Sequence, residues 1–231
     1  MRLPKRRVIV LGLSFVLLLS SCSTESTEFT KTKKEAVQGD IDAQRGLGTM
    51  YVEGEGVDRN YNKAHKWYLK AAEQGDAKAQ YNLGALYHEG WGVSKSPTTA
   101  FEWYKKAADQ GLAESQYNVG VMYAEGLGVS QDYVKARESY LKSAEQGYAP
   151  AQSSLGYMYN QGKLVRQDYH KANEWYLKAA EQSDANAQYN LGIAYNEGLG
   201  VSQNIAQAKE WFGKACDNGD QDGCDEYRNL N

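Results

Sequence analysis

Apolar and small residues recur along most of this chain with a helical spacing that is broken at regular intervals. In the stretch opening at Asp76, residues Ala79, Leu83 and Tyr87 return every four positions, with Gln80 and Gly84 beside them. That spacing predicts an amphipathic first helix over about Asp76 to Glu89. Gly90-Trp91-Gly92 then stops it, because glycine readily takes the left-handed C-cap conformation, and Val93 follows as an apolar plug. Ala100, Trp103, Tyr104, Ala107 and Ala108 predict a second helix ending at Gly111. Small residues such as Gly84 and Ala100 let the two helices approach closely, while Tyr and Trp fill the space between neighbouring units.

The same pattern returns at a constant step of 36 residues. Units open at Gly39-Asp40, Gly75-Asp76, Gly111-Leu112, Gly147-Tyr148, Ser183-Asp184 and Gly219-Asp220, and Leu47, Leu83, Val119, Leu155 and Leu191 keep the same phase. Five full repeats follow at 39–74, 75–110, 111–146, 147–182 and 183–218, with a C-terminal cap at 219–231. The segment Lys34–Gly39 echoes Lys70–Gly75, so the array is expected to begin at residue 34 with the tail of a half-repeat. No hairpin of this kind can bury its aromatic side alone, and stacking buries it. The expected fold is all-α, a right-handed α-solenoid of five helix-turn-helix repeats plus terminal caps.

The motif G-D-x-x-A-Q-Y-N-L-G-x-x-Y-x-x-G-x-G-V followed by Y-x-K-A-x-x-W-Y-x-K-A-A-E-Q resembles the Sel-one-like repeat family, longer relatives of the tetratricopeptide repeats, over nearly all of residues 39–231. The resemblance implies a scaffold that binds another protein through a concave groove lined by first helices. Pro97 for the usual Tyr, Ser139 for Trp, Ser183 for the leading Gly and Leu164 for the second turn Gly depart from the motif. Cys216 and Cys224 stand at the phase of Ala180 and Gln188. The cysteine-rich branch of the family carries pairs at this spacing, which implies a disulfide joining the last second helix to the cap. Closing so short a loop stabilises by roughly 2–3 kcal/mol in the chain-entropy model.

The N-terminus reads as an address. Arg2, Lys5, Arg6 and Arg7 precede a 12-residue apolar run from Val8 to Leu19, shorter than the roughly 20 residues of a spanning helix, as in a secretory signal. Leu19-Ser20-Ser21-Cys22 resembles a bacterial lipobox, which implies a signal peptide over 1–21 and acylation of Cys22. Ser23 resembles the residue that directs such proteins to the outer membrane. Residues 22–33, rich in Ser and Thr, are expected to be a flexible tether. The expected location is therefore the periplasmic face of the envelope, held by acyl chains.

Charge and composition narrow the function. The 26 basic and 29 acidic side chains give −3, and removal of the four basic signal residues leaves 22 against 29, or −7. This argues against nucleic acid as a partner. The Gly-x-Gly turns lack the strand-to-helix context of a phosphate loop. Ser139-Tyr140-Leu141-Lys142 matches S-x-x-K without the companion motifs of penicillin-recognising enzymes, which leaves a cell-wall or β-lactam-handling enzyme as the disfavoured rival. His65, His88 and His170 show no zinc-helix spacing, and no cofactor or metal set is expected. Phased on the core leucines, the groove should expose Arg45, Tyr81, Tyr117, Ser153 and Tyr189, then Thr49, Ala85, Val121, Tyr157 and Ile193, with His88, Asn160 and Asn196 near the rim; Tyr81, Tyr117 and Tyr189 read equally well as consensus packing residues. The expected partner is a protein. Family analogy offers a periplasm-acting toxin, such as a phospholipase from a type VI-like secretion system that an immunity protein would neutralise, beside a general envelope protein.

Overall fold

The computed structural model describes residues 26–163 and 165–230; the signal peptide expected over 1–21 and the acylation expected at Cys22 fall outside them. Among these residues there are twelve α-helices and no strand. They fall into two compact units that part between Gln131 and Asp132. The first holds α1 (Thr27–Val37), α2 (Ile41–Glu53), α3 (Tyr61–Glu73), α4 (Ala77–Glu89), α5 (Pro97–Asp109) and α6 (Ala113–Glu125). The second holds α7 (Tyr133–Glu145), α8 (Ala149–Gln161), α9 (Tyr169–Ala180), α10 (Ala185–Glu197), α11 (Ile205–Asp217) and α12 (Gln221–Asn229). Each unit is a stack of helical hairpins, the arrangement of an α-solenoid.

The boundaries follow from local chemistry. Asp76 N-caps α4, its carboxylate accepting from the Ala79 N–H at 2.6 Å, and Asn60 does the same for α3 through the Lys63 N–H at 3.0 Å. The first helices α2, α4, α6, α8 and α10 each end on a left-handed glycine, at Gly54, Gly90, Gly126, Gly162 and Gly198. Pro97 fits as the first residue of α5, where no N–H is needed. Ser183 keeps the left-handed conformation of the glycine it replaces, with φ 65°, and α9 is one residue shorter than the other second helices of the full repeats.

Helix pairs close on glycine. A Cβ at Gly48, Gly84, Gly156 or Gly192 would sit 2.5–2.6 Å from ring carbons of Tyr68, Tyr104, Tyr176 or Phe212 on the partner helix. Those four rings are buried, and burial pushes the Tyr68 hydroxyl up to about 12 and Tyr104 well above its ordinary value. Glutamines then stitch one hairpin to the next. Gln44 donates to the Ala36 carbonyl at 3.2 Å, and Gln80, Gln116, Gln152 and Gln188 repeat the bond to Ala72, Ala108, Ala144 and Ala180 at 3.0–3.3 Å. Gln74, Gln110 and Gln182 in turn donate to the free oxygens of Gln44, Gln80 and Gln152 at 2.7–2.9 Å. The five first-helix glutamines are thus buried with each amide nitrogen partnered.

The flexible tether expected over 22–33 needs correction over its described residues 26–33, and so does the half-repeat expected from residue 34. Ser26 N-caps α1, and Phe29 is fully buried with its ring edge-on to Tyr51 at 5.5 Å. Phe29 stands at the 36-residue phase of His65 and Phe101, so α1 is a complete second-type helix that covers α2. A Ser/Thr-rich composition hid one well-placed aromatic.

Candidate partner-binding face

The expected groove residues do not share one environment. Tyr81, Ala85, Tyr117, Val121, Ser153, Tyr157 and Asn160 are all buried, none with more than 8% of its surface exposed. This corrects the expectation that they face a partner. The central first helices are enclosed almost all round: residues 79–86 of α4, 115–122 of α6 and 151–158 of α8 are buried without a break. The 36-residue phasing located the core but carried no measure of how narrow the remaining face would be. Arg45, Thr49, His88, Tyr189, Ile193 and Asn196 remain half-exposed.

Several of these serve the fold. Arg45 pairs with the N-cap carboxylate of Asp76 and lies 2.6 Å from Asp42. Burial alone would lower its pKa, but the two carboxylates outweigh burial and raise it. The Thr49 hydroxyl lies 3.0 Å from the Tyr68 hydroxyl. Burial raises the pKa of the Asp184 carboxyl, the N-cap of α10, while the Ala187 N–H at 2.8 Å acts to lower it. Thus Arg45, which breaks the Tyr pattern, attends the half-buried cap carboxylate of Asp76, while Ser153, which also breaks it, is packed inside with its hydroxyl unpartnered. His88 Nε2 stands 3.7 Å from Glu89, with burial lowering its pKa, Glu89 raising it and Lys95 lowering it.

One stripe is left for a partner. Tyr189, Ile193 and Asn196 follow each other at spacings of four and three on α10, which puts them on one helix face. The Tyr189 ring leans on Phe212 at 5.6 Å, which fixes its orientation while leaving part of it accessible.

The remaining motifs resolve simply. Cys216 and Cys224 form a disulfide with their Cα atoms 4.5 Å apart. It occupies the place of the interior Gln-to-carbonyl stitch, joining α11 to α12 where the glutamine is absent. Ser139 is half-buried and Lys142 exposed on α7. Glu53, Glu89, Glu125 and Glu197 are solvated at first-helix ends. Among the described residues, no group of three His, Cys, Asp or Glu side chains could hold a metal ion, and no helix is long and apolar enough to cross a membrane.

Comparison with known proteins agrees with this architecture. The Sel1 repeat family matches at residues 41–76, 77–112, 113–148, 149–184 and 185–220, two residues later in frame than the units drawn above. A protective antigen of uropathogenic Escherichia coli strains, displaying an SLR fold, is 39% identical with a TM-score of 0.81; the match covers 85% of this chain and 42% of that one. A Sel1 repeat protein from Oxalobacter formigenes is 32% identical with a TM-score of 0.82, covering 88% of this chain and 59% of that one. This chain therefore spans about half the length of each. An immunity protein from Pseudomonas aeruginosa shares the fold at 24% identity and a TM-score of 0.53, covering 87% of this chain and 68% of that one. No curated protein matches the sequence. Five tandem matches over most of its length place the chain in the Sel1 repeat family, whose repeats build protein-interaction scaffolds.

Proposed function

We propose that this chain is a scaffold held at the periplasmic face of the outer membrane by acyl chains on Cys22, and that it binds a protein partner on the exposed stripe of α10. The supporting observation is the contrast along the first helices. Tyr189, Ile193 and Asn196 are accessible, whereas their counterparts Tyr117, Ser153, Val121, Tyr157 and Asn160 are buried. Tyrosine beside an aliphatic residue suits an interface, since it offers broad apolar area with little side-chain entropy to lose.

Between Cys22 and the start of α1 at Thr27 stand four residues. Fully extended, they reach at most about 14 Å, so an acylated Cys22 keeps the first hairpins against the bilayer instead of on a long leash. Two or more acyl chains suffice for stable anchoring. The proposed occupant of the α10 stripe is a toxic effector, by analogy with the Pseudomonas immunity protein, whose likeness to this chain is one of fold.

The test is affinity capture from an envelope fraction with the wild-type chain and with Ile193→Asp. The wild type is expected to retain a stoichiometric protein that Ile193→Asp loses, while Val37→Asp, at an exposed site on α1, keeps it. Equal retention by wild type and Ile193→Asp would overturn the assignment of the stripe. Mass spectrometry of the mature N-terminus tests the anchor separately, and an unmodified chain beginning elsewhere would overturn it.

A further inference from the structure

One slot on the second helices changes character along the chain. There, Phe29, His65 and Phe101 set their rings edge-on against Tyr51, Tyr87 and Tyr123, with centroids 5.2–5.5 Å apart. The same slot holds Arg137 on α7, Asn173 on α9 and Lys209 on α11, and the tyrosine position beside Arg137 is Tyr159. A cavity of about 830 Å³ opens beside Arg137 and Tyr159, wholly within the second unit. Arg166 from the α8–α9 turn and His170 and Lys171 from the first turn of α9 line it as well.

Lys171 stands at the phase of Lys63 and Lys135, but Arg166 and His170 are not the repeat's standing residues. Arg166 replaces Asp58, Ser94, Ser130 and Ser202 at its phase, and His170 replaces Asn62, Thr98, Val134 and Ala206. Two departures, Arg166 and His170, thus join Arg137 and Lys171 in one cavity of a chain whose net charge is negative. Asp168 is the one carboxylate in the lining. It is occupied as the N-cap of α9, accepting from the Lys171 N–H at 3.0 Å, and lies 3.8 Å from the Lys171 ammonium. Lys171 also stands 5.7 Å over the Tyr159 ring, which places a cation against the aromatic wall.

We propose that this cavity binds a phosphoryl group carried on a small organic molecule, with Arg137 and Arg166 gripping its oxygens from two sides and Lys171 and His170 completing the set. Two guanidinium forks match the several oxygens of a phosphoryl group better than point charges do. The volume lies in the range of small-molecule sites and exceeds the needs of a bare ion, and Tyr159 and Tyr169 supply walls for the organic part. A local cavity, as opposed to a long groove, favours such a ligand over an acidic peptide. This site lies apart from the α10 stripe and does not depend on it.

The experiment is calorimetric titration of the full chain with glycerol 3-phosphate. Saturable one-to-one binding is expected, weakening as salt rises. Arg137→Ala and Arg166→Ala should each weaken it at least tenfold, Arg166→Lys less than Arg166→Ala, and Lys105→Ala on the first unit should leave it unchanged. Vesicles containing phosphatidic acid, but not phosphatidylcholine alone, displace the probe if the natural source is a lipid headgroup; failure of both to displace it assigns a free phosphate ester. Absence of saturable binding, equal binding by Arg137→Ala, or tighter binding of a ten-residue glutamate peptide would overturn the proposal.

Discussion

Reduction of the Cys216–Cys224 bond should release α12 selectively. The bond closes a loop of eight residues, for which the chain-entropy model gives about 8 cal/mol/K, or roughly 2.5 kcal/mol at 25 °C. Little else holds this element. Among the nine residues of α12 only Gly223 is buried, and the helix is too short to persist alone. A loss of about 2.5 kcal/mol raises the local opening equilibrium by roughly 60-fold. Hydrogen–deuterium exchange read by mass spectrometry measures this directly: amides of Gln221–Asn229 should exchange about 60-fold faster with reductant, and those of α8 should hardly change. The structure also supplies a rescue. Replacing Cys216→Ala together with Cys224→Gln restores the pair that Ala180 and Gln188 make at 3.0 Å. One such hydrogen bond contributes about 1 kcal/mol, so exchange should be about fivefold slower than in a chain with Ala at both positions. Unchanged α12 exchange on reduction, or no difference between the Gln and Ala variants, would refute the view that the bond substitutes for the interior stitch.

Two further predictions probe the hairpins. Gly84→Ala places a methyl 2.6 Å from the buried Tyr104 ring and should cost about 1–3 kcal/mol by overpacking, whereas Gly46→Ala, with Thr32 no nearer than 3.8 Å, should stabilise by up to about 1 kcal/mol; thermal melts showing equal shifts would refute the close-approach argument. His65, whose pKa burial lowers, contributes stability that is full above its unfolded value of about 6.5 and declines as pH falls through that value towards the folded one. His65→Phe should flatten that acid-side decline in urea titrations from pH 7.5 to 5, and an unchanged slope would count against burial as its cause.

Helix order, caps and core were legible because they repeat. A step of 36 residues carried the same glycine to the same left-handed turn and the same aromatic to the same buried slot, so a single hairpin read correctly gave the others. What was not legible depended on distances between hairpins. Tyr117 and Val121 carry the same pattern whether the face they line is broad or closed, and the structure closes it. Arg45 looked like a partner-facing exception until Asp76, 31 positions later, was found beside it. The N-terminal helix was missed because Phe29 was weighed with its Ser and Thr neighbours instead of with Phe101 at the same phase.

The departures from the repeat separate according to whether the fold reabsorbs them. Ser183 takes the glycine conformation, Pro97 starts a helix, Arg45 attends a cap carboxylate, Ser153 is buried in the core, and the cysteine pair replaces a glutamine stitch. Each is consumed in holding neighbours together, so none is left over to recognise anything else. Arg137 and Arg166 behave differently. Arg137, at a slot that is Phe, His, Asn or Lys elsewhere, brings a cation to the same cavity as Arg166, a pairing that stabilising the hairpin does not require. In a solenoid whose standing residues are committed to stacking, recognition must fall to positions of this second kind or to first-helix faces left uncovered, as on α10. The two predicted sites are therefore where the repeat's own packing rules stop explaining the residues present.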